Sequence, residues 1–207
     1  MPSKITLNKA AREHFKKTDP ILYKALEKVG KVEMDKPRSP KVYFEHLVRS
    51  IVFQQLSGKA ANTIYSRFMA LLPKGKVTPE TILKLSDEEI RGAGISGQKM
   101  GYIRDLSQKV KDKEVDLNNL QNLSDEEVIS ELTKVKGIGR WTAEMFLMFT
   151  LTRPDIFSHG DLGLRNAIKM LYKLENPTQE QVELICAKWS PHRTYACRIL
   201  WESLDNR

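Results

Sequence analysis

Apolar residues recur at helical spacing along almost the whole chain. Val128, Leu132 and Val135 stand at i, i+4 and i+7, and Trp141, Met145, Met148 and Phe149 continue the same kind of stripe after a short interruption. Followed from end to end of the 207 residues, the spacing predicts helices over 7–16, 19–29, 41–55, 58–72, 79–84, 87–93, 98–112, 125–135, 140–151, 162–173, 178–188 and 193–204. No run alternates with period two, so no strand is expected and the fold class is all-α. The polar stretch Lys31–Pro40, with Pro37 and Pro40, reads as a linker, and Thr152–Gly160, with Pro154, reads as a second break.

Two of these helices start alike. Leu85-Ser-Asp-Glu-Glu89 recurs as Leu123-Ser-Asp-Glu-Glu127, whose Ser124–Glu127 is a capping box, and each copy starts a helix followed further on by a glycine turn. The spacings differ, so the echo describes two similar helix–turn–helix units and not a solenoid. Gly137 and Gly139 break the helix after the second copy and allow positive φ and close backbone approach. The first turn, Gly94-Ile-Ser-Gly97 followed by Lys99, fits either a plain surface turn or a segment near a nucleic-acid backbone.

Composition narrows the class of partner. The chain has 34 Lys and Arg against 26 Asp and Glu, a formal net charge of +8, which favours a polyanionic partner, nucleic acid above all, over a merely soluble basic protein. No apolar run approaches the ~20 residues of a membrane span, and the first residues lack the apolar core of a signal peptide. Cys186 and Cys197 are too few for a four-thiolate iron–sulfur cluster or a cysteine-rich zinc site, and they read as reduced thiols of an intracellular protein. His14, His46, His159 and His192 show no metal-ligand spacing.

The candidate chemistry lies in three places. The helix opening at Arg140 presents free N–H groups just after Gly137 and Gly139, with Lys134, Lys136 and Arg140 around it, which makes a phosphate site. The same residues also suit an ordinary capped helix–turn–helix. Asp161 sits at the start of the next helix, where it reads as an N-cap. A helix N-terminus also favours the ionised form of a carboxylate, which is the form that stabilises a developing cation or activates water. Gln54 and Gln55 close an apolar helix about 100° apart, so that one is buried and the other presented. Trp189 and Trp201 read as core at helical spacing, whereas Trp141 stands one turn from the phosphate grip.

Four ordered pieces of the chain together resemble the helix-hairpin-helix DNA glycosylase superfamily, most nearly its 3-methyladenine DNA glycosylase II type. They are Ile51-Val-Phe-Gln-Gln-Leu-Ser57 with Ala60-Ala61; Lys136-Gly-Ile-Gly-Arg-Trp-Thr-Ala143; Asp161 with its helix; and Trp189-Ser-Pro-His-Arg-Thr-Tyr-Ala196 leading to Leu200-Trp201. The resemblance spans about 40–205. It implies two helical lobes with an active-site cleft between them: a central lobe over 36–150, carrying the hairpin at about 124–150, and a second lobe of 1–35 plus 151–207 that carries the catalytic aspartate.

The resemblance further implies roles for individual residues. Asp161 matches the catalytic aspartate, Gln55 the residue that plugs the gap left by a flipped nucleotide, and Trp141 an aromatic of the base pocket. Met145, one turn on, stands in that pocket where some relatives carry an aromatic. Lys134, Lys136, Gly137, Gly139 and Arg140 match the phosphate-binding hairpin, whose carbonyls near Gly137 and Gly139 hold Na+ or K+ in some relatives. Trp141 occupies the position at which bifunctional members carry a Schiff-base lysine. The expected protein is therefore a monofunctional glycosylase of base excision repair acting on alkylated purines in double-stranded DNA. It needs no cofactor and no iron–sulfur cluster, acts as a monomer, and works in the cytoplasm or nucleoid (the nucleus in a eukaryote). The alternatives are a glycosylase for neutral lesions, such as deaminated or etheno bases, and a DNA-binding relative without catalysis.

Overall fold

A computed structural model describes residues 4–6 and 9–205. Its elements in chain order are β1 (Lys4–Thr6), α1 (Lys9–Thr18), α2 (Pro20–Val29), β2 (Glu33–Asp35), α3 (Tyr43–Phe53), α4 (Gly58–Ala70), α5 (Pro79–Leu83), α6 (Asp87–Gly92) and α7 (Gly97–Lys111). They continue with α8 (Asp125–Thr133), α9 (Arg140–Phe149), α10 (Leu162–Leu171), α11 (Gln179–Ala187) and α12 (Arg193–Asp205). The start of the first predicted helix, at residue 7, lies outside the described residues.

The all-α expectation holds, with one correction. β1 and β2 pair antiparallel, Ile5 opposite Met34, so part of the stretch read as a linker is a strand. Strands of three residues are too short to show alternation, and only the partner far away in sequence reveals them.

The chain divides into two compact units. One runs from Arg38 to Phe146 and holds α3 to α8 and most of α9. Its core is Leu47, Ile51, Phe68, Ile82, Ile90, Ile103, Leu106 and Leu132, all fully buried. The other combines the described residues up to Pro37 with Leu147 onward, and packs Phe15, Leu22, Leu26, Ile168, Trp189 and Leu200.

Local chemistry sets the element ends as the sequence indicates. Ser86 with Glu89, and Ser124 with Glu127, form reciprocal capping boxes at α6 and α8. Helix α3 stops at Phe53, two residues before the predicted end, so Gln54 and Gln55 lie in the turn beyond it. Gln55 adopts φ +54°, the left-handed region that costs a residue with a Cβ about 1–2 kcal/mol.

Candidate active site

In the unit that runs from Arg38 to Phe146, the hairpin between α8 and α9 is built against one face of α7. Gly137 has φ +81°, and a Cβ there would come within 2.1 Å of the Tyr102 ring, so glycine is required twice over. Gly139 differs from expectation: its φ is not positive, and a Cβ would meet no protein atom within 4 Å. Asp105 Oδ2 accepts the Lys136 backbone N–H at 2.8 Å, and the Lys109 ammonium donates to the Lys134 carbonyl at 2.5 Å.

The three cations at the hairpin are not equivalent. Lys134 is paired with Glu131 at 2.6 Å. Arg140 is held bidentate by Glu126, at 3.0 and 2.5 Å, and through Nε by the buried Glu144 at 3.0 Å. The guanidinium's hydrogen bonds hold the Glu126 carboxyl below its usual range. Lys136 is exposed, and among the described residues its ammonium meets no carboxylate within ion-pair distance.

Beside the hairpin lies a cavity of about 530 Å³ lined by Arg49, Ser50, Phe53, Gln54, Gln55, Trp141, Thr142 and Met145. It brings together four residues singled out in the sequence. Trp141 is 46 % exposed, unusual for an indole, and so presents part of its ring to solvent. Gln54 is the inward amide, donating from Nε2 to the Gly137 carbonyl at 2.9 Å, and Gln55 is exposed. Arg49, which the sequence reading passed over, lies 3.9 Å above the Phe53 ring centre.

Lys99, just after the Gly94–Gly97 turn, donates its ammonium to the carbonyls of Val52 (2.8 Å) and Gln54 (2.6 Å), at the end of α3. Burial lowers its pKa.

In the other unit, Asp161 is the N-cap of α10 and only 8 % exposed. Its Oδ1 accepts the Leu164 N–H at 2.8 Å and the Trp201 indole N–H at 3.1 Å. Trp201 stacks on Phe149 with ring centres 5.8 Å apart. One face of α12 organises the approach to this carboxylate. Arg193 binds Asp155 through Nε and Nη2 at 2.9 and 3.0 Å. Thr194 ties Arg153 to Ile156 through a carbonyl at 2.6 Å and an N–H at 3.0 Å. Trp201 ends the row. Trp201 departs from the core role that its sequence context predicts, and its helical spacing from Thr194 and Cys197 is the signal for this shared face. Trp189 is core, fully buried with its indole on Asp19 at 2.8 Å. His159 pairs with Glu183 at 2.8 Å.

Among the described residues no cluster of three or more His, Cys, Asp or Glu side chains is placed to hold a metal. Cys186 and Cys197 are buried free thiols that burial pushes well above the usual range, which makes them inert. The Gly137 carbonyl accepts the Gln54 amide, and the Gly139 carbonyl accepts the Ala143 N–H. No described helix is long and apolar enough to cross a membrane.

A glycine hairpin opening a helix, an aromatic-walled cavity beside it and a capped, indole-bound aspartate define a helix-hairpin-helix protein of the nucleic-acid-processing class. The chain belongs to the HhH-GPD superfamily of base excision DNA repair proteins, whose family model matches residues 48–192. It is 34% identical over 199 residues to DNA-3-methyladenine glycosylase 1 of Schizosaccharomyces pombe, covering 93% of this chain and 86% of that one. Among solved structures it resembles a DNA-3-methyladenine glycosidase from Bacillus halodurans, with TM-score 0.83, 36% identity and coverage of 96% and 91% of the two chains. It also resembles a Schizosaccharomyces pombe 3-methyladenine DNA glycosylase in complex with abasic DNA, with TM-score 0.78, 33% identity and coverage of 93% and 95%.

Proposed function

We propose that this protein is a monofunctional DNA-3-methyladenine glycosylase, which flips an alkylated purine out of duplex DNA and hydrolyses its N-glycosidic bond to leave an abasic site. The observation that carries this reading is Asp161: a nearly buried carboxylate whose Oδ1 is fixed by the Leu164 N–H and the Trp201 indole. Two donors on one oxygen leave the carboxylate rigidly oriented, as electrostatic stabilisation of a transition state requires.

The reaction follows from that group. The C1′–N bond breaks with its electron pair going to the base, and positive charge builds on the deoxyribose. Asp161 stabilises that charge and accepts a hydrogen bond from the attacking water, whose oxygen bonds to C1′ and whose proton is released. A base alkylated at N3 or N7 is already cationic, so it leaves without a general acid. The exposed face of Trp141 stacks on such a ring, a cation–π contact worth up to ~2 kcal/mol when desolvated. Met145 completes the same wall, and Gln55 fills the gap in the duplex. The cavity lining offers Arg49 but no lysine to form a Schiff base, which supports hydrolysis over lyase chemistry.

On this reading the DNA backbone is gripped by the N–H groups at Gly139 and the start of α9, with Lys136 as the unpaired cation. Lys134 and Arg140 join by exchanging partners. Exposed ion pairs are worth about 0–1 kcal/mol, so a phosphate displaces the exposed Glu126 at little cost, whereas Glu131, only 17 % exposed, holds Lys134 more firmly. Arg140 keeps Nε on the buried Glu144 throughout, since breaking a buried ion pair costs far more than breaking an exposed one. The protein works as a monomer on DNA inside the cell.

The test is base release from methylated duplex DNA by wild type and Asp161→Asn. Free 3-methyladenine or 7-methylguanine from the wild type only, with intact abasic strands, supports the reading. Binding without release by both proteins would overturn it in favour of a neutral lesion or a non-catalytic role, and release of hypoxanthine or ethenoadenine from further duplexes decides between those two.

A further inference from the structure

One face of α7 grips two separate segments of the unit in which it lies. Lys99, Tyr102, Asp105 and Lys109 fall within about 120° of arc at 100° per residue. Tyr102, Asp105 and Lys109 all touch the hairpin: the first packs on Gly137, the second accepts the Lys136 N–H, and the third donates to the Lys134 carbonyl. Lys99 reaches the other segment, the turn after α3, with its ammonium on the Val52 and Gln54 carbonyls. The Gln54 side chain then closes the loop by donating to the Gly137 carbonyl at 2.9 Å. The turn and the hairpin are therefore tied to each other directly and again through a common helix.

This construction has a cost and a use. Lys99 is a partly buried ammonium with two carbonyl partners and no carboxylate among the contacts described. A simple end to α3 needs no such group, because water or a glycine satisfies terminal carbonyls more cheaply. What the ammonium adds is a fixed direction for the Gln54 carbonyl, the first atom of the peptide that leads into Gln55. Gln55 holds φ +54° in an exposed turn, and such a backbone state persists only where its surroundings over-determine it.

We propose that Lys99 is a positioning residue for base flipping: by clamping the Val52 and Gln54 carbonyls it holds the Gln55 turn rigid against the phosphate-gripping hairpin, so that the plug enters the duplex in register with the bound backbone. This rests on the reading of Gln55 as the plug and of the hairpin as the phosphate site. Lys99 touches neither base nor sugar on this account. It converts binding of the backbone into insertion of the plug. Gln54 serves the same end from the other side, through Gly137.

The experiment reads insertion without chemistry. A duplex carrying a tetrahydrofuran abasic analogue opposite 2-aminopurine is saturated with wild type, Lys99→Met or Lys99→Arg, and the 2-aminopurine fluorescence change is recorded. Affinity for undamaged duplex and the thermal midpoint are measured alongside. Lys99→Met is expected to lose most of the fluorescence change, about fivefold or more, while its affinity for undamaged duplex stays within about twofold and it remains folded. Lys99→Arg, which can still donate to both carbonyls, is expected to restore at least half of the signal. In single-turnover base release, Lys99→Met is expected to lose about tenfold on paired lesions and little on lesions placed in an unpaired bubble. An unchanged fluorescence signal overturns the proposal. Equal loss on paired and bubble substrates together with lost undamaged-duplex affinity and no rescue by arginine also overturns it, since that marks a mere fold defect. Failure of the glycosylase reading shows separately, as absence of base release by the wild type, and the fluorescence comparison still decides the role of Lys99.

Discussion

The Trp201 indole N–H and the Leu164 backbone N–H converge on one oxygen of Asp161, at 3.1 and 2.8 Å. A similar device appears elsewhere in the same unit, where Asp19 caps α2 and receives the Trp189 indole at 2.8 Å. The two differ in exposure. Asp19 is 3 % exposed, and Tyr172 also donates to its Oδ2, so both oxygens are consumed by the fold. Asp161 is 8 % exposed, with the Leu164 and Trp201 N–H groups converging on its Oδ1.

Asp161→Asn separates charge from capping. Asparagine caps a helix about as well as aspartate, so the thermal midpoint should move by only a degree or two. Base release should fall about a hundredfold or more, because the stabilising charge is gone. Single-turnover release and thermal unfolding of the same preparation check both halves.

Trp201→Phe keeps a ring to stack on Phe149 but removes the indole N–H. A hydrogen bond to a charged group is worth about 1.5–3 kcal/mol, so base release should drop at least about tenfold while DNA affinity holds. Gly163→Ala should act in the same direction, since its Cβ would stand 3.1 Å from Asp161 Oδ1 and 3.3 Å from Trp201. Comparing kcat with the Kd for DNA tests both substitutions.

The two hairpin glycines should fail in different ways. Gly137→Ala must displace the Tyr102 ring and adopt φ +81°, so it should cost at least about 2 kcal/mol of stability. Gly139→Ala meets nothing in the protein and should fold normally, yet its methyl obstructs the approach of a phosphate to the α9 N-terminus. Chemical denaturation and DNA-binding titrations on both variants give the comparison.

Lys136→Ala should weaken binding to all sequences and reduce the slope of log K against log salt by about 0.9, the value of one phosphate contact. Lys134→Ala should change the slope less, because loss of its pairing with Glu131 offsets part of the gain from phosphate. Titrations at four or more salt concentrations measure this.

His192 should make the fold sensitive to acid. Burial, helped by neighbouring His14 and opposed by Asp155, sets its pKa below the ordinary value of about 6.5, and its Nδ1 is buried without a hydrogen-bond partner. The unfolded chain then binds the proton more readily than the folded one. Stability from this group is complete above about pH 6.5 and is lost as pH falls through the depressed folded value. Thermal midpoints across pH 4–8 should show that loss, and His192→Phe should flatten it.

The linear pattern determined the helices, because a period of 3.6 is a local property that each segment displays by itself. It also marked the helix starts at Ser86 and Ser124, the hairpin at Gly137 and Gly139, the core stripe Val128, Leu132 and Val135, and Asp161 as an N-cap. Tertiary structure alone decided what those residues meet. The β1–β2 pair, the clamp from Lys99 to Gln54, the Tyr102 ring against Gly137 and the Trp201 indole on Asp161 join residues 27 to 45 positions apart. Contacts at that range depend on how helix faces pack, and packing selects partners by shape and unpaired polar atoms, which leave no periodic trace in the chain.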